Sequence, residues 1–187
     1  MTDFLQDYPD GMIVAMDEMS LYFQATLTHV WSPVGQTPLV RVAPQRDLVH
    51  FFGALNLRTG QEIALTLPQQ TTETTVHFLR HVLDCLPQQR ILLLLDRAPW
   101  HRGQALRDLL DQEPRLQLLY FPPACPDLNP QEHVWGQARD AVGHNHSMTD
   151  FGRLCRTFSR FLNQTLFDIE FLAKYAPVIL YETLIAS

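Results

Sequence analysis

The chain has few cysteines, and none is arranged as a staple. Cys85, Cys125 and Cys155 make three, an odd number with no Cys-x-x-Cys pair. That argues against a disulfide framework and for a reduced, intracellular protein. No run approaches the ~18 continuous apolar residues of a membrane span, so no membrane partner is expected. The first residues include Asp3 and Asp7 where a secretory leader would be basic, and a cytoplasmic location is expected. No repeat, low-complexity tract or linker divides the 187 residues, so one domain over 1–187 is expected. A core at that size buries roughly 70% of the unfolded surface and needs no structural metal. Lysine is nearly missing, Lys174 being the only one among 14 basic residues. Arginine suits bidentate phosphate contact, and a genomic codon bias explains the skew equally well. Positive charge is in deficit too. A net charge of −6 argues against a surface that coats DNA throughout. It does not exclude a nuclease whose carboxylates are offset by bound metal.

Apolar residues are plentiful, at 46%, and their spacing predicts the element order. Tyr8-Pro9-Asp10-Gly11 is a turn signal. Strand-like segments follow at Ile13 to Asp17, around His29-Val30-Trp31, at Pro38 to Val42 and at Leu48 to Leu57. Arg58-Thr59-Gly60-Gln61 then predicts a hairpin turn into Glu62 to Leu67. From Thr72 to Leu86 the apolar positions Val76, Leu79, Val82, Leu83 and Leu86 keep helical spacing, closed by Pro87. Ile91 to Leu95 is apolar on both faces, as in a strand covered from both sides. Arg102 to Leu110 predicts a helix and Leu116 to Phe121 a strand. Pro122-Pro123-Ala124-Cys125-Pro126 forces an extended connection. Asn129 then suits an N-cap with Pro130 at the first helical position, and Val134, Ala138, Ala141 and Val142 mark that helix's core face. This order predicts an α/β fold: an antiparallel meander followed by parallel strands, with helices on both faces of one mixed sheet.

Three acids stand at special points of that plan. Asp17 closes Met12-Ile13-Val14-Ala15-Met16, and Asp96 closes Ile91-Leu92-Leu93-Leu94-Leu95. Glu132 falls in the first turn after Asn129-Pro130-Gln131. Charge at the end of a buried strand is costly unless paired or holding a metal, and three hard oxygen ligands suit Mg²⁺ or Mn²⁺. Each acid also has a plainer explanation. Asp17 could simply end its strand, and alternation lets only one of Asp17 and Glu18 face a given site. Glu132 could complete a capping box on Asn129. Asp96 is the hardest to explain away, because ligands bind at the carboxyl ends of such strands and Arg97, Trp100, His101 and Arg102 crowd the same loop.

Taken together, the motifs resemble the catalytic domain of mariner-type bacterial insertion-sequence transposases, members of the Asp-Asp-Glu superfamily with an RNase H-like fold. Met16-Asp17-Glu18 is similar to that family's first acidic strand. Val30-Trp31-Ser32-Pro33-Val34-Gly35-Gln36-Thr37-Pro38 is similar to its Trp-x-x-x-Gly hairpin, and Leu95-Asp96-Arg97-Ala98-Pro99-Trp100-His101 to its Asp-Asn-Ala-x-x-His segment, with Arg97 replacing the asparagine. The segment from Leu119-Tyr120-Phe121-Pro122-Pro123 through Asn129-Pro130-Gln131-Glu132-His133-Val134-Trp135 resembles its long signature ending in the third acid. Positions 97 to 131, 35 residues, separate Asp96 from Glu132, close to the family's short spacing.

The resemblance implies that Asp17, Asp96 and Glu132 are catalytic and hold two Mg²⁺ or Mn²⁺ ions, with Asp17 bridging. It implies DNA as substrate, both element ends and target, and a homodimer in a synaptic complex. The family's N-terminal helix-turn-helix modules have no counterpart before the first strand, so half of a split reading frame with a separately encoded partner half, a truncated copy and an excised catalytic domain are the alternatives. His101 and His133 are candidates for supporting the acids, for meeting phosphate, or for plain packing. Arg97 and Arg102 are phosphate candidates. From Ser147 to Leu162, with start signals at Ser147-Met148-Thr149-Asp150, Phe151, Leu154, Cys155, Phe158, Phe161 and Leu162 form an apolar stripe. Arg153, Arg156 and Arg160 lie opposite, either against the DNA backbone or in solvent. A non-catalytic DNA-binding remnant and a plain metal-dependent nuclease are the competing readings.

Overall fold

A computed structural model describes residues 1–24, 32–35, 47–123, 125, 128–144, 146 and 148–170. The expected strands around Val30 and at Pro38 to Val42, most of the Trp31 hairpin and Ser147 lie outside the described residues. A helix, α1 (Thr2–Asp7), leads into β1 (Met12–Tyr22), β2 (Leu48–Asn56) and β3 (Glu62–Leu67). Then come α2 (Thr72–Cys85), β4 (Ile91–Leu95), α3 (Gln104–Gln112) and β5 (Leu116–Tyr120), followed by α4 (Gln131–Ala138), a π-helical turn (Arg139–Gly143) and α5 (Phe151–Gln164). The five strands form one sheet in the order β3-β2-β1-β4-β5. β1, β2 and β3 pair antiparallel, while β4 and β5 run parallel to β1. This is the expected meander followed by parallel strands. Among the described residues no helix is long and apolar enough to cross a membrane.

The sheet buries both faces, and alternation assigns each side chain to one of them. Ile13, Ala15, Met19, Leu92 and Leu94 join Trp135, Leu154, Phe158 and Leu162 in one core under α4 and α5. Val14, Met16, Leu93 and Leu95 join Phe78, Leu79, Leu106 and Leu109 in the other, under α2 and α3. In α5, Leu154, Phe158 and Leu162 are wholly buried, each worth about 1.5–3 kcal/mol of apolar transfer. The predicted stripe is therefore the packed one. Thr71 caps α2 by a reciprocal bond with Thr74, and Asp150 caps α5 through the Arg153 amide.

Three expectations are corrected. β1 does not stop at Asp17 but runs on to Tyr22, because antiparallel pairing with β2 continues from Val14 to Tyr22 while the parallel ladder with β4 covers only Met12 to Ala15. Asp17 thus sits mid-strand, yet just past the end of the parallel ladder. Ala141 is exposed rather than on the core face. The π turn, closed by the His144 amide on the Arg139 carbonyl at 2.7 Å, inserts an extra residue per turn and rotates Ala141 outward. α1 had no counterpart in the sequence reading.

Candidate active site

The parallel ladder ends close to two of the acids. Ala15 pairs with Leu94 as its last rung, and Asp17 and Asp96 each follow two residues beyond it. Alternation turns Asp17 to the α4 face, with Ile13 and Ala15. β4 ends at Leu95, which leaves Asp96 at the head of the following loop. α4 then brings Glu132 over the same strand ends. Asp17, Asp96 and Glu132 line one cavity of about 350 Å³, together with Arg97, Ala98, Phe121, Pro122, Pro123, Cys125 and Asn129.

Several groups that sequence reasoning overlooked carry α4 to this position. The Asn129 amide donates to the Met16 carbonyl at 3.2 Å, and its side-chain oxygen accepts from the Gln131 amide at 3.1 Å. One residue thereby holds the first amide of α4 and ties the helix start to β1, although the N-cap place itself falls on Pro130 rather than on Asn129 as expected, with no side-chain cap bond. Gln131 donates to the buried Glu62 on β3 at 2.7 Å, and burial holds the Glu62 carboxyl well above its usual range. Gly53, opposite Asp17 on β2, lets the helix approach. A Cβ there would run into the Gln131, Glu62 and Trp135 side chains. Trp135, itself buried, donates its indole N–H to Asp17 Oδ2 at 3.1 Å. A buried tryptophan needs a partner for its N–H, and its place three residues after Glu132 was the available signal.

The capping-box reading of Glu132 is not what the structure holds. The Glu132 side chain is exposed, and among the described residues its carboxylate accepts no hydrogen bond; the N-cap of α4 is Pro130, without a side-chain cap bond. Asp17 is the strained acid. Burial, with the charges of Glu18 and Glu132 next, raises its pKa from 3.8 to about 7, against the Glu18 amide and the Trp135 indole, which lower it.

Glu18 points to the opposite face from Asp17, as alternation requires. There it meets His101, whose Nε2 lies 2.9 Å from Glu18 Oε1 while Nδ1 lies 2.7 Å from Asp96 Oδ1. Burial would lower the His101 pKa, but the Glu18 hydrogen bond and the charges of Glu18 and Asp96 overcome it and leave it raised. Glu18 and His101 are buried and so are not DNA contacts. Arg97 lines the cavity, anchored by a bond to the Phe121 carbonyl at 3.3 Å, its guanidinium 5.6 Å from the centre of the Tyr120 ring. Arg102 is exposed and does not line the cavity, nor does His133, which is partly buried with its pKa lowered by burial. Arg153, Arg156 and Arg160 stand on the exposed side of α5. Arg156 pairs with Asp150 at 3.6 Å and, with Arg160, Thr66 and Asn163, lines a separate groove.

Carboxylates around one cavity, with the pKa of Asp17 raised by burial and then by neighbouring like charge, make a donor set that fits a divalent cation. Among the described residues no three such groups already stand close enough to hold an ion between them. The acids surround the cavity rather than meet in it.

The profile of the DDE superfamily endonuclease family matches residues 12–155, well over half the chain. A Sinorhizobium fredii protein named uncharacterized protein y4pE/y4sA is 28% identical over 120 residues, covering 62% of this chain and 86% of its own. The uncharacterized 39 kDa protein of insertion element IS630 from Shigella sonnei is 20% identical over 147 residues, covering 78% of this chain and 43% of its own. Among solved structures, the Mos1 transposase paired-end complex with left transposon end superposes with a TM-score of 0.68 at 17% identity, over 99% of this chain and 58% of the Mos1 chain. The catalytic domain of Mos1 mariner transposase gives 0.60 at 15% identity, over 98% of this chain and 83% of its own. The chain thus spans less than half of the IS630 protein and somewhat over half of the Mos1 chain, and the shared fold is RNase H-like. With a mixed sheet of that fold and a family match over most of its length, the chain belongs to the DDE superfamily endonucleases.

Proposed function

We propose that this domain cuts DNA at the ends of a mobile element and joins those ends to target DNA, by metal-dependent phosphoryl transfer at Asp17, Asp96 and Glu132. The observation that carries the reading is the convergence of the three carboxylates on one cavity, with Asp17 raised to about 7 by burial and by the charges of Glu18 and Glu132. An acid held at that cost is one that a cation would relieve. Mos1 structures of this fold include complexes with Mn and with Mg and a strand transfer complex, which supports Mg²⁺ or Mn²⁺ and DNA here.

Two divalent ions shared by the three acids would acidify the attacking hydroxyl and stabilise the leaving oxygen. In cleavage a water oxygen forms a bond to phosphorus, the P–O3′ bond breaks, and the departing 3′-oxygen takes up a proton. In joining, a 3′-hydroxyl takes the place of water, and one phosphodiester is exchanged for another with no covalent protein intermediate. Trp135 holds Asp17 by one oxygen, Asn129 fixes the start of α4 on β1, and Pro122 and Pro123 wall the cavity. Arg97, anchored beside it, is the guanidinium that lines the cavity among the described residues. The same reading includes two copies paired across the element ends, with end recognition from helix-turn-helix modules.

Glu132→Gln tests it. Among the described residues the glutamate accepts no hydrogen bond that the variant would lose, so folding is expected to be unchanged while metal-dependent nicking of supercoiled DNA disappears. Nicking at the wild-type rate would overturn the assignment. Joining of a pre-cut 3′-hydroxyl end distinguishes a strand transferase from a plain nuclease.

A further inference from the structure

Asp96 differs from the other two acids in having one carboxylate oxygen fully engaged. Its Oδ1 accepts from the Ala98 amide at 2.9 Å and from His101 Nδ1 at 2.7 Å. Among the described residues nothing bonds Oδ2, and the side chain is 53% exposed on the cavity side. The far nitrogen of the His101 ring reaches Glu18 Oε1 at 2.9 Å, and Glu18 Oε2 accepts the Trp100 indole N–H at 3.1 Å. The chain Asp96–His101–Glu18–Trp100 crosses from one face of the sheet to the other around the end of β4.

This chain is fixed at each end. Glu18 is immobile because β1 pairs with β2 there, opposite Phe52, and its side chain is only 2% exposed. The loop is held through its carbonyls: Tyr120 donates its hydroxyl to the His101 carbonyl at 2.8 Å, and Thr72 donates to the Arg102 carbonyl at 2.8 Å. A histidine that only packed would not place both ring nitrogens on carboxylates of separate elements, Glu18 on β1 and Asp96 in the loop after β4.

We propose that His101 is a positioning residue: anchored on Glu18, it fixes Asp96 with Oδ1 occupied and Oδ2 alone presented to a divalent cation. The proposal rests on the reading of Asp96 as a cation ligand. Glu18, adjacent in sequence to Asp17, thereby supports the other acid of the site from behind the sheet. Partners of this kind change metal affinity by roughly 10- to 100-fold when removed.

The test measures Mn²⁺ affinity of the intact chain from the electron paramagnetic resonance signal of free Mn²⁺, without DNA. His101→Asn and His101→Leu are close in size, but only asparagine can still donate to Asp96 Oδ1. His101→Leu is expected to weaken Mn²⁺ binding roughly 10- to 100-fold and His101→Asn to recover most of that loss. In the Asp96→Asn background His101→Leu should cost nothing further. A packing role would lower thermal stability in both variants and leave their Mn²⁺ affinities alike. Should His101→Leu not fold, Glu18→Gln, close to isosteric, carries the test, with about a tenfold loss expected. Wild-type affinity in His101→Leu or Glu18→Gln, beside a clear loss in Asp96→Asn, would overturn the proposal and leave the site reading standing. Wild-type affinity in Asp96→Asn would overturn both.

Discussion

Asp17→Asn should stabilise the metal-free protein, and the size of the gain follows from the environment of that carboxylate. Its pKa is 3.8 unperturbed and about 7 in the fold, a rise of roughly 3 units at about 1.4 kcal/mol each. Above pH 7 the ionised carboxylate therefore costs the fold on the order of 4 kcal/mol. The sign follows from linkage: the folded state binds the proton more tightly, so the contribution of Asp17 is intact below the unfolded pKa and is lost as pH rises through the folded one. Asparagine has no charge to desolvate and can still accept from the Trp135 indole. The variant and the wild type should be equally stable near pH 4, diverge between about pH 4 and 7, and stay apart by roughly 2–4 kcal/mol beyond it. For a chain of this length that is roughly 4–16 °C in thermal midpoint. Circular-dichroism melts in EDTA from pH 4 to 9 measure it. Mn²⁺ should then raise the wild-type midpoint by mass action and leave that of Asp17→Asn nearly unmoved. An Asp17→Asn protein equal to or less stable than wild type at pH 8 in EDTA would refute the reasoning.

Gly53→Ala should be destabilised by about 1–3 kcal/mol or more in urea, because its Cβ runs into Gln131, Glu62 and Trp135; a loss under about 0.5 kcal/mol would mean α4 has room to shift. Trp135→Phe keeps most of the buried ring but removes the indole bond to Asp17 Oδ2, so the Asp17 pKa should rise further and the alkaline melts should fall. DNA binding in Ca²⁺ should be weak and show less than about 10³-fold preference for an inverted-repeat end over random duplex. If Arg153, Arg156 and Arg160 supply the contacts, the log–log salt slope should not exceed about 3, at roughly 0.9 per phosphate. A larger preference would show that this domain reads base edges.

Much of the scaffold was legible because its periods are clean. The boundaries of β2, β3, β4, β5 and α2 fall within a residue or two of the expected ones. β1 was cut short because a charge usually ends a strand. Alternation in fact continues past Asp17 into the buried Met19 and Leu21. The π turn after Ala138 has no composition that marks it, and Ala141 was misplaced as a result. That Asp17, Asp96 and Glu132 line one cavity is in keeping with the motif. His101 stands among the candidate supports, but the pairings themselves are not legible, since Trp135 to Asp17, Gln131 to Glu62 and His101 to Glu18 span 118, 69 and 83 positions of sequence. Hydrogen bonds of that separation have no local period to betray them.

The acids also differ in what brings each to the cavity, and that sets where the site is vulnerable. Asp17 and Asp96 need only the parallel register of β1 and β4, which apolar packing on both faces enforces. Glu132 arrives on a separate helix, and nothing in the sheet's own pairing fixes its height. α4 is set largely by contacts with strands that carry none of the three acids, Gln131 on Glu62 of β3 and Trp135 over Gly53 of β2, while Asn129 on the Met16 carbonyl ties it to the strand of Asp17, β1. Changes at β2 or β3 should therefore displace Glu132 and leave the Asp17–Asp96 pair in place, whereas changes around His101 should loosen Asp96 and spare Glu132. Asp17, held by Trp135 from one face and bordered by Glu18 on the strand itself, is the point where the two sets of supports meet.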